Sequence, residues 1–369
     1  MRFKSQIVIA LILVSGISAS AQSGFSGFPQ DELVASDSGK LQLNLSAAAF
    51  FENNEFTGNI VKGYTLPGFY VQPTAVANLS PKTRVSAGFH GLFYGGREKF
   101  DRVVPVLRIE HQLTSSIKMV GGTLIANGNH GLPEPVYNPE RFFINQPETG
   151  VQFLKRSSQV DADLWINWEN FIEHGDSVQE RFTMGFSSVF KASPTGIYFP
   201  VFFVAHHAGG QINAGNDTVQ TIANIGVGFG YKYALDSRKA WLGAEVLFIH
   251  SGDFSPMTHM PFAKGYAVYP RVMGGYKSLL FEMGYWNASG FLNPRGEPIF
   301  GSISTVNKIY NEKRRELLTT KLMLKHNYTS GLCISAGIET YYDFSSSTLE
   351  YAYCFRMVLD RNFFIGMIR

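Results

Sequence analysis

Val160-Asp161-Ala162-Asp163-Leu164-Trp165-Ile166-Asn167-Trp168-Glu169-Asn170-Phe171 decides the fold. Val160, Ala162, Leu164, Ile166 and Trp168 alternate with Asp161, Asp163, Asn167 and Glu169. A period of two sends the two sets to opposite faces of a strand. The pattern recurs from Arg102 to Leu113, where Val103, Leu107 and Ile109 oppose Arg102, Arg108, Glu110 and Gln112. From Thr319 to Asn327, Lys321 and Lys325 oppose Leu322 and Leu324, and later Glu350 and Arg356 oppose Tyr351, Tyr353, Phe355 and Met357. Glu245, Arg271, Glu282 and Glu339 stand singly among apolar neighbours, and Arg181 is assigned to the same charged face. An Arg or Lys on a lipid-facing surface near the membrane midplane costs about 2–4 kcal/mol, so these charges belong inside.

The N-terminus carries Arg2 and Lys4, an apolar run from Ile7 to Val14, and small residues ending Ala19-Ser20-Ala21. This reads as a secretory signal peptide over residues 1–21. A lead follows over residues 22–40, expected in the periplasm. Alternating segments of about ten residues occupy 41–369, a length that crosses a bilayer when tilted. Tight turns are predicted at Ser80-Pro81-Lys82, Thr114-Ser115-Ser116, Arg156-Ser157-Ser158, Ala192-Ser193-Pro194-Thr195-Gly196, Leu235-Asp236-Ser237-Arg238, Tyr276-Lys277-Ser278, Tyr328-Thr329-Ser330-Gly331 and Asp360-Arg361-Asn362. Long connections run roughly through Glu52 to Leu66, Ile125 to Gln146, His206 to Asp217, His250 to Phe262 and Asn287 to Arg314. The expected fold is all-β: a transmembrane antiparallel β-barrel of about sixteen strands, with 14–18 open, short periplasmic turns and long extracellular loops. Read literally, the segments number about seventeen, the first and the last (Phe363 to Arg369) being weakest, whereas single-chain bacterial barrels are normally even.

The formal charge is +3, from 32 Lys and Arg against 29 Asp and Glu, with no long basic run, which argues against nucleic acid. Cys333 and Cys354, the two cysteines, are too few for a disulfide scaffold; they fall about three residues out of hairpin register, which favours free thiols. His206 and His207 diverge on a strand, and with His259 they lack carboxylate or thiolate partners at ligand spacing, so no metal and no cofactor is expected. His250-Ser251 needs a bend before base and hydroxyl can meet. Gly226, Gly228 and Gly230 share one strand face and leave room there for a neighbour. On these grounds no enzymatic activity is expected.

Tyr285 to Phe300 is richer in aromatic residues, Gly and Pro than a merely solvated loop. It either folds into the mouth or lumen, where Arg295 and Glu297 would form a constriction, or packs as an ordered surface loop. Asn138 to Phe143 admits the same two readings. The inward charges either line a conduction path or pair across strands to rigidify a filled barrel.

The leader ending in Ala21-Gln22, the aromatic-rich alternating segments and the pattern of short and long connections resemble outer-membrane barrel proteins of the Bacteroidota, including porin-like members. The resemblance implies location in the outer membrane of a Gram-negative bacterium. With it, the sequence favours a porin-like channel for passive diffusion of small polar solutes. The partners expected are outer-membrane lipid and small solutes, with further copies of the chain or complex subunits open. The alternatives are a closed accessory subunit of an export or assembly complex, a hydrophobic-ligand transporter and a lipid-modifying enzyme.

Overall fold

The computed structural model describes residues 33–368 except 126–128, 193, 211–218, 237–239, 259 and 308. The leader and most of the lead lie outside the described residues. Sixteen strands follow: β1 (Lys40–Glu55), β2 (Tyr64–Ser80), β3 (Thr83–Tyr94), β4 (Arg102–Gln112), β5 (Ile117–Thr123), β6 (Thr149–Arg156), β7 (Val160–Asn170), β8 (Arg181–Ala192), β9 (Ile197–Ala208), β10 (Gln220–Asp236), β11 (Ala240–Asp253), β12 (Lys264–Tyr276), β13 (Leu279–Ser289), β14 (Arg314–Asn327), β15 (Leu332–Asp343) and β16 (Thr348–Met367). Each pairs antiparallel with its sequence neighbours, and β1 closes the barrel against β16 from Lys40↔Met367 to Glu55↔Tyr351. Closure leaves no unpaired edge in lipid.

The count of sixteen has a local cause. Asp360-Arg361-Asn362 does not turn; it lies within β16, opposite Ser46, Leu45 and Asn44. Asn44 Nδ2 donates to Asp360 Oδ1 at 2.7 Å and Asn362 Oδ1 at 3.0 Å, so the turn-forming side chains become cross-strand rungs. Phe363 therefore continues the last strand. The other predicted turns fall between consecutive strands, although residues 193 and 237–238 of two of them lie outside the described residues.

The outer face is apolar. Val103, Leu107, Leu164, Leu322 and Phe355 are all exposed there, and their alternating neighbours point inward. The interior is not simply aqueous. Parts of the β5–β6 and β13–β14 connections, residues 129–148 and 290–304 with Leu124, pack inside the barrel: Leu124, Leu132, Val136, Tyr137, Phe291, Ile299 and Phe300 join one buried cluster with wall residues Trp165, Phe202, Leu247, Tyr269, Trp286 and Tyr341. Fully burying each large apolar side chain contributes about 1.5–3 kcal/mol, so the loops form a core rather than a lid.

The loops lock to each other and to the wall. Asn138 N donates to Arg295 O at 2.8 Å, and Glu297 N to Glu134 O at 3.0 Å. Ser251, the hydroxyl beside His250, faces inward and accepts from Leu292 N at 3.0 Å, while Asn224 Nδ2 donates to Leu292 O at 2.7 Å. The inward face of β10 is bare where it must be: a Cβ on Gly226 would lie 2.2 Å from the Phe202 ring, and one on Gly230 2.1 Å from Tyr198.

Candidate functional site

The inner wall is built from charged side chains that meet the inserted loops. Arg102 and Arg108 hold loop backbone: Arg102 donates to Ile144 O, and Arg108 to Thr123 O and Leu124 O, all within 2.8 Å. Glu110 pairs with Lys118 at 3.0 Å and Arg84 at 3.9 Å, and Asp161 with Lys191 at 2.6 Å. Asn167 accepts from Thr149 N at 2.8 Å. Glu169 receives Arg295 and Arg141, the latter at 3.1 Å, together with the Thr183 hydroxyl at 2.7 Å. Arg181 is exposed at the extracellular end of its strand.

On the opposite wall Arg271 bridges Glu245 and Glu282, the latter at 3.1 Å. Lys321 lies between the loop carboxylate Glu134 and Glu339, 2.9 Å from the latter. Arg356 pairs with Glu52. Lys325 and Glu297 line a cavity of about 100 Å³ on this side. Acidic and basic residues are thus interleaved through pairing, and several of their partners come from the loops.

His130 is the loop residue that alternation could not find. Its Nδ1 lies 2.9 Å from Asp163 and its Nε2 2.6 Å from Glu148, and its ring stacks on Trp165 at 4.2 Å. Burial alone would depress its pKa, but the two carboxylates outweigh that cost and push it up to about 10. His130 is an ionic anchor for the loop. Cys333 and Cys354 are free thiols, their register partners being Val358 and Gly337.

A second arrangement lies on the outer face. His206 and His207 diverge: His206 turns inward to Thr183 and Arg295. His207 turns outward, where its Nδ1 is 2.8 Å from the Thr221 hydroxyl and its Nε2 3.1 Å from Gly209 O. Since the carbonyl can only accept, a neutral ring carries its proton on Nε2 and offers Nδ1 to the hydroxyl. The pairing His207↔Thr221 sets the two side chains opposite each other on β9 and β10. Phe182 stacks on His207 at 4.8 Å and meets Trp168 at 5.2 Å, an aromatic row of the kind that marks a membrane interface. The pair stands at the end of the barrel that carries the long loops.

Thr221 is further fixed by its backbone. Its N–H donates to Ser255 Oγ at 3.0 Å, and its carbonyl accepts from Phe254 N at 2.8 Å. Two similar pairs, Thr83–His111 at 2.9 Å and Ser278–His326 at 3.3 Å, sit at the opposite, periplasmic end. Adjacent positions on a strand already set His206 and His207 on opposite faces, but the partner Thr221 depends on inter-strand register and carries no local signal. Among the described residues no group of three or more His, Cys, Asp or Glu is arranged to hold a metal ion.

Closed topology, an apolar exterior and short turns opposite long loops define an outer-membrane β-barrel of sixteen strands. Solved structures share this fold. They include OccAB2 of Acinetobacter baumannii (10% identity, TM-score 0.52, covering 88% of this chain and 98% of that one). The outer membrane protein OprD of Pseudomonas aeruginosa matches with 11% identity and TM-score 0.52, over 91% of this chain and 97% of that one. A loop L8 deletion mutant of OmpT, an outer membrane protein of Vibrio cholerae, matches with 8% identity and TM-score 0.53, over 87% and 100%. No curated protein matches the chain. The sequence belongs to the Lipid A 3'-O-deacylase-type family, which it matches over residues 33–368. This membership overturns the expectation of no enzymatic activity: the family is described by an enzyme, and inward charges on a barrel wall say nothing against chemistry on its outer face.

Proposed function

We propose that the protein hydrolyses an acyl ester of an outer-leaflet glycolipid of the lipid A type, at the Thr221–His207 pair. The single observation that carries this reading is the 2.8 Å contact between a hydroxyl and an imidazole acceptor whose other nitrogen is fixed by a backbone carbonyl. Its position supports the substrate class: the pair faces outward, in an aromatic row, at the extracellular end of the barrel. The family description supports the reaction type.

In the step proposed, His207 Nδ1 takes the proton of the Thr221 hydroxyl as its oxygen attacks the ester carbonyl. The proton passes to the departing sugar oxygen, and water then releases the fatty acid and restores Thr221. Purified protein in lipid A vesicles, with released fatty acid measured by mass spectrometry, tests this. Loss of a positioned base lowers rates by roughly 10²–10⁴-fold, so His207→Ala and Thr221→Ala should lose release to that degree. Thr221→Ser should retain it, and Thr83→Ala, at the periplasmic end, should match wild type. Undiminished release by Thr221→Ala overturns the assignment.

A second reading, passage of small polar solutes through the lumen, is favoured by one feature. A polar cavity lined by Gln72, Thr74, Ser86, His90 and Gln146 lies beside the inserted loops, in addition to the one lined by Lys325 and Glu297. Single-channel recording in planar bilayers tests it.

A further inference from the structure

The cavity on the β12–β16 and β1 side gathers more carboxyl groups than basic side chains in its lining. Six glutamates line it, at 52, 134, 140, 282, 297 and 339, against Arg271, Lys321, Lys325 and Arg356. Lys321 serves both Glu134 and Glu339, Arg356 serves Glu52, and Arg271 divides itself between Glu282 and Glu245 outside the cavity. Glu140 accepts only neutral donors, Tyr64 at 2.5 Å and Asn54 at 3.2 Å. Glu297 is 7% exposed, and its Oε1 has no hydrogen-bond partner.

The deficit is visible atom by atom. Glu52 Oε2 and Glu282 Oε2 are likewise buried without partners. Buried carboxylate oxygens are ordinarily hydrogen-bonded or ion-paired, because an unsatisfied one costs much of its hydration. Glu52 and Glu282 each hold a guanidinium through their other oxygen, whereas among the described residues no ion pair reaches Glu297, and its buried oxygen calls for a donor of positive charge. Burial, and then the carboxylates of Glu140, Glu134, Glu339 and Glu52, hold the Glu297 carboxyl well above the usual range, so it keeps its proton until a cation beside it brings the value down.

Phe142, Phe143, Met323 and Val358 give the cavity an apolar side, beside the polar Asn54, Asn129, Asn138 and Ser335. Among the described residues the carboxylates are not arranged as a group that could hold a metal ion. We infer that this luminal cavity is a binding site for a small organic ammonium ion, its charged nitrogen received by Glu297 and its short hydrocarbon body against the apolar side. The site is separate from the Thr221–His207 pair on the outer face and does not rest on the reading given to that pair.

Calorimetric titration of the full-length protein in detergent with n-butylammonium chloride tests the inference, with 1-butanol as the uncharged counterpart. Saturable binding of butylammonium and none of butanol is expected. Removing one member of a buried charge pair weakens binding by roughly thirtyfold or more, so Glu297→Gln should do so. Glu140→Gln gives an independent variant should Glu297→Gln fail to fold, as judged by circular dichroism, and it too should weaken binding. His207→Ala should bind butylammonium as wild type does, which separates this result from ester hydrolysis. Equal binding of butanol, unchanged affinity in a folded Glu297→Gln or Glu140→Gln, or full displacement of butylammonium by equimolar Mg²⁺ overturns the inference.

Discussion

At the residue scale the interior works by pairing, and single side chains decide large effects. Arg271 lies between Glu245 and Glu282 with all three buried. Replacing it with Met leaves two buried carboxylates without their cation. Breaking a buried pair costs about 3–5 kcal/mol, so Arg271→Met should lower the unfolding midpoint in detergent by a margin easily read by heat-dependent electrophoretic migration. Replacing all three with apolar residues should restore much of the loss. His130 gives a pH dependence of defined sign. Its folded pKa, about 10, exceeds its ordinary 6.5, so the stabilisation is complete below about 6.5 and is lost as pH rises through about 10. Wild type should therefore lose thermal stability across that window, and His130→Gln should show a flatter profile; parallel profiles would remove His130 as the anchor.

At the element scale, the strands were legible and the loops were not. Asp163 and Leu164 announce opposite faces because neighbours in a strand must diverge, and in the same way Glu110 is buried while its neighbour Ile109 is exposed. Asp360-Arg361-Asn362 misled because turn residues in a strand are recognised only once Asn44 is seen opposite them. The inserted loops have no period, so Phe142, Phe143, Phe291 and Phe300 could be marked as unusual but not located. Thr221 was unreadable for a related reason: which residue faces His207 depends on the register of β10 against β9. The crossing of the two loops yields its own prediction. A Cβ on Gly296 would lie 1.9 Å from Pro135 O, a backbone atom that cannot swing aside. Gly296→Ala should therefore separate the loops at Glu297 N–Glu134 O, and limited proteolysis should cut within residues 290–313 faster than in wild type, with the barrel intact.

At the scale of the whole molecule, the fold permits two workplaces that the sequence could not rank. A sixteen-strand barrel has room for an aqueous lumen, yet here two loops place a hydrophobic core inside it. The loops are held by backbone contacts with each other, by Ser251 and Asn224 on the wall, and by Arg102 and Arg108 on the far side. An ester-cleaving outer face needs a stiff wall to keep His207 opposite Thr221, and a filled barrel supplies stiffness that an empty one lacks. Passage of solutes needs the opposite, an interior that yields. Replacing residues 290–313 with a short Gly/Ser linker separates the two demands. The variant should conduct several-fold more than wild type in planar bilayers, because the removed loop carries Phe291, Ile299 and Phe300 out of the core. It should also release fatty acid more slowly, as β9 and β10 lose the packing behind Phe202 and Asn224. Wild-type conductance equal to that of the variant would show that the loops do not obstruct the lumen, and unaltered fatty-acid release would show that the outer pair is held by its own strands alone.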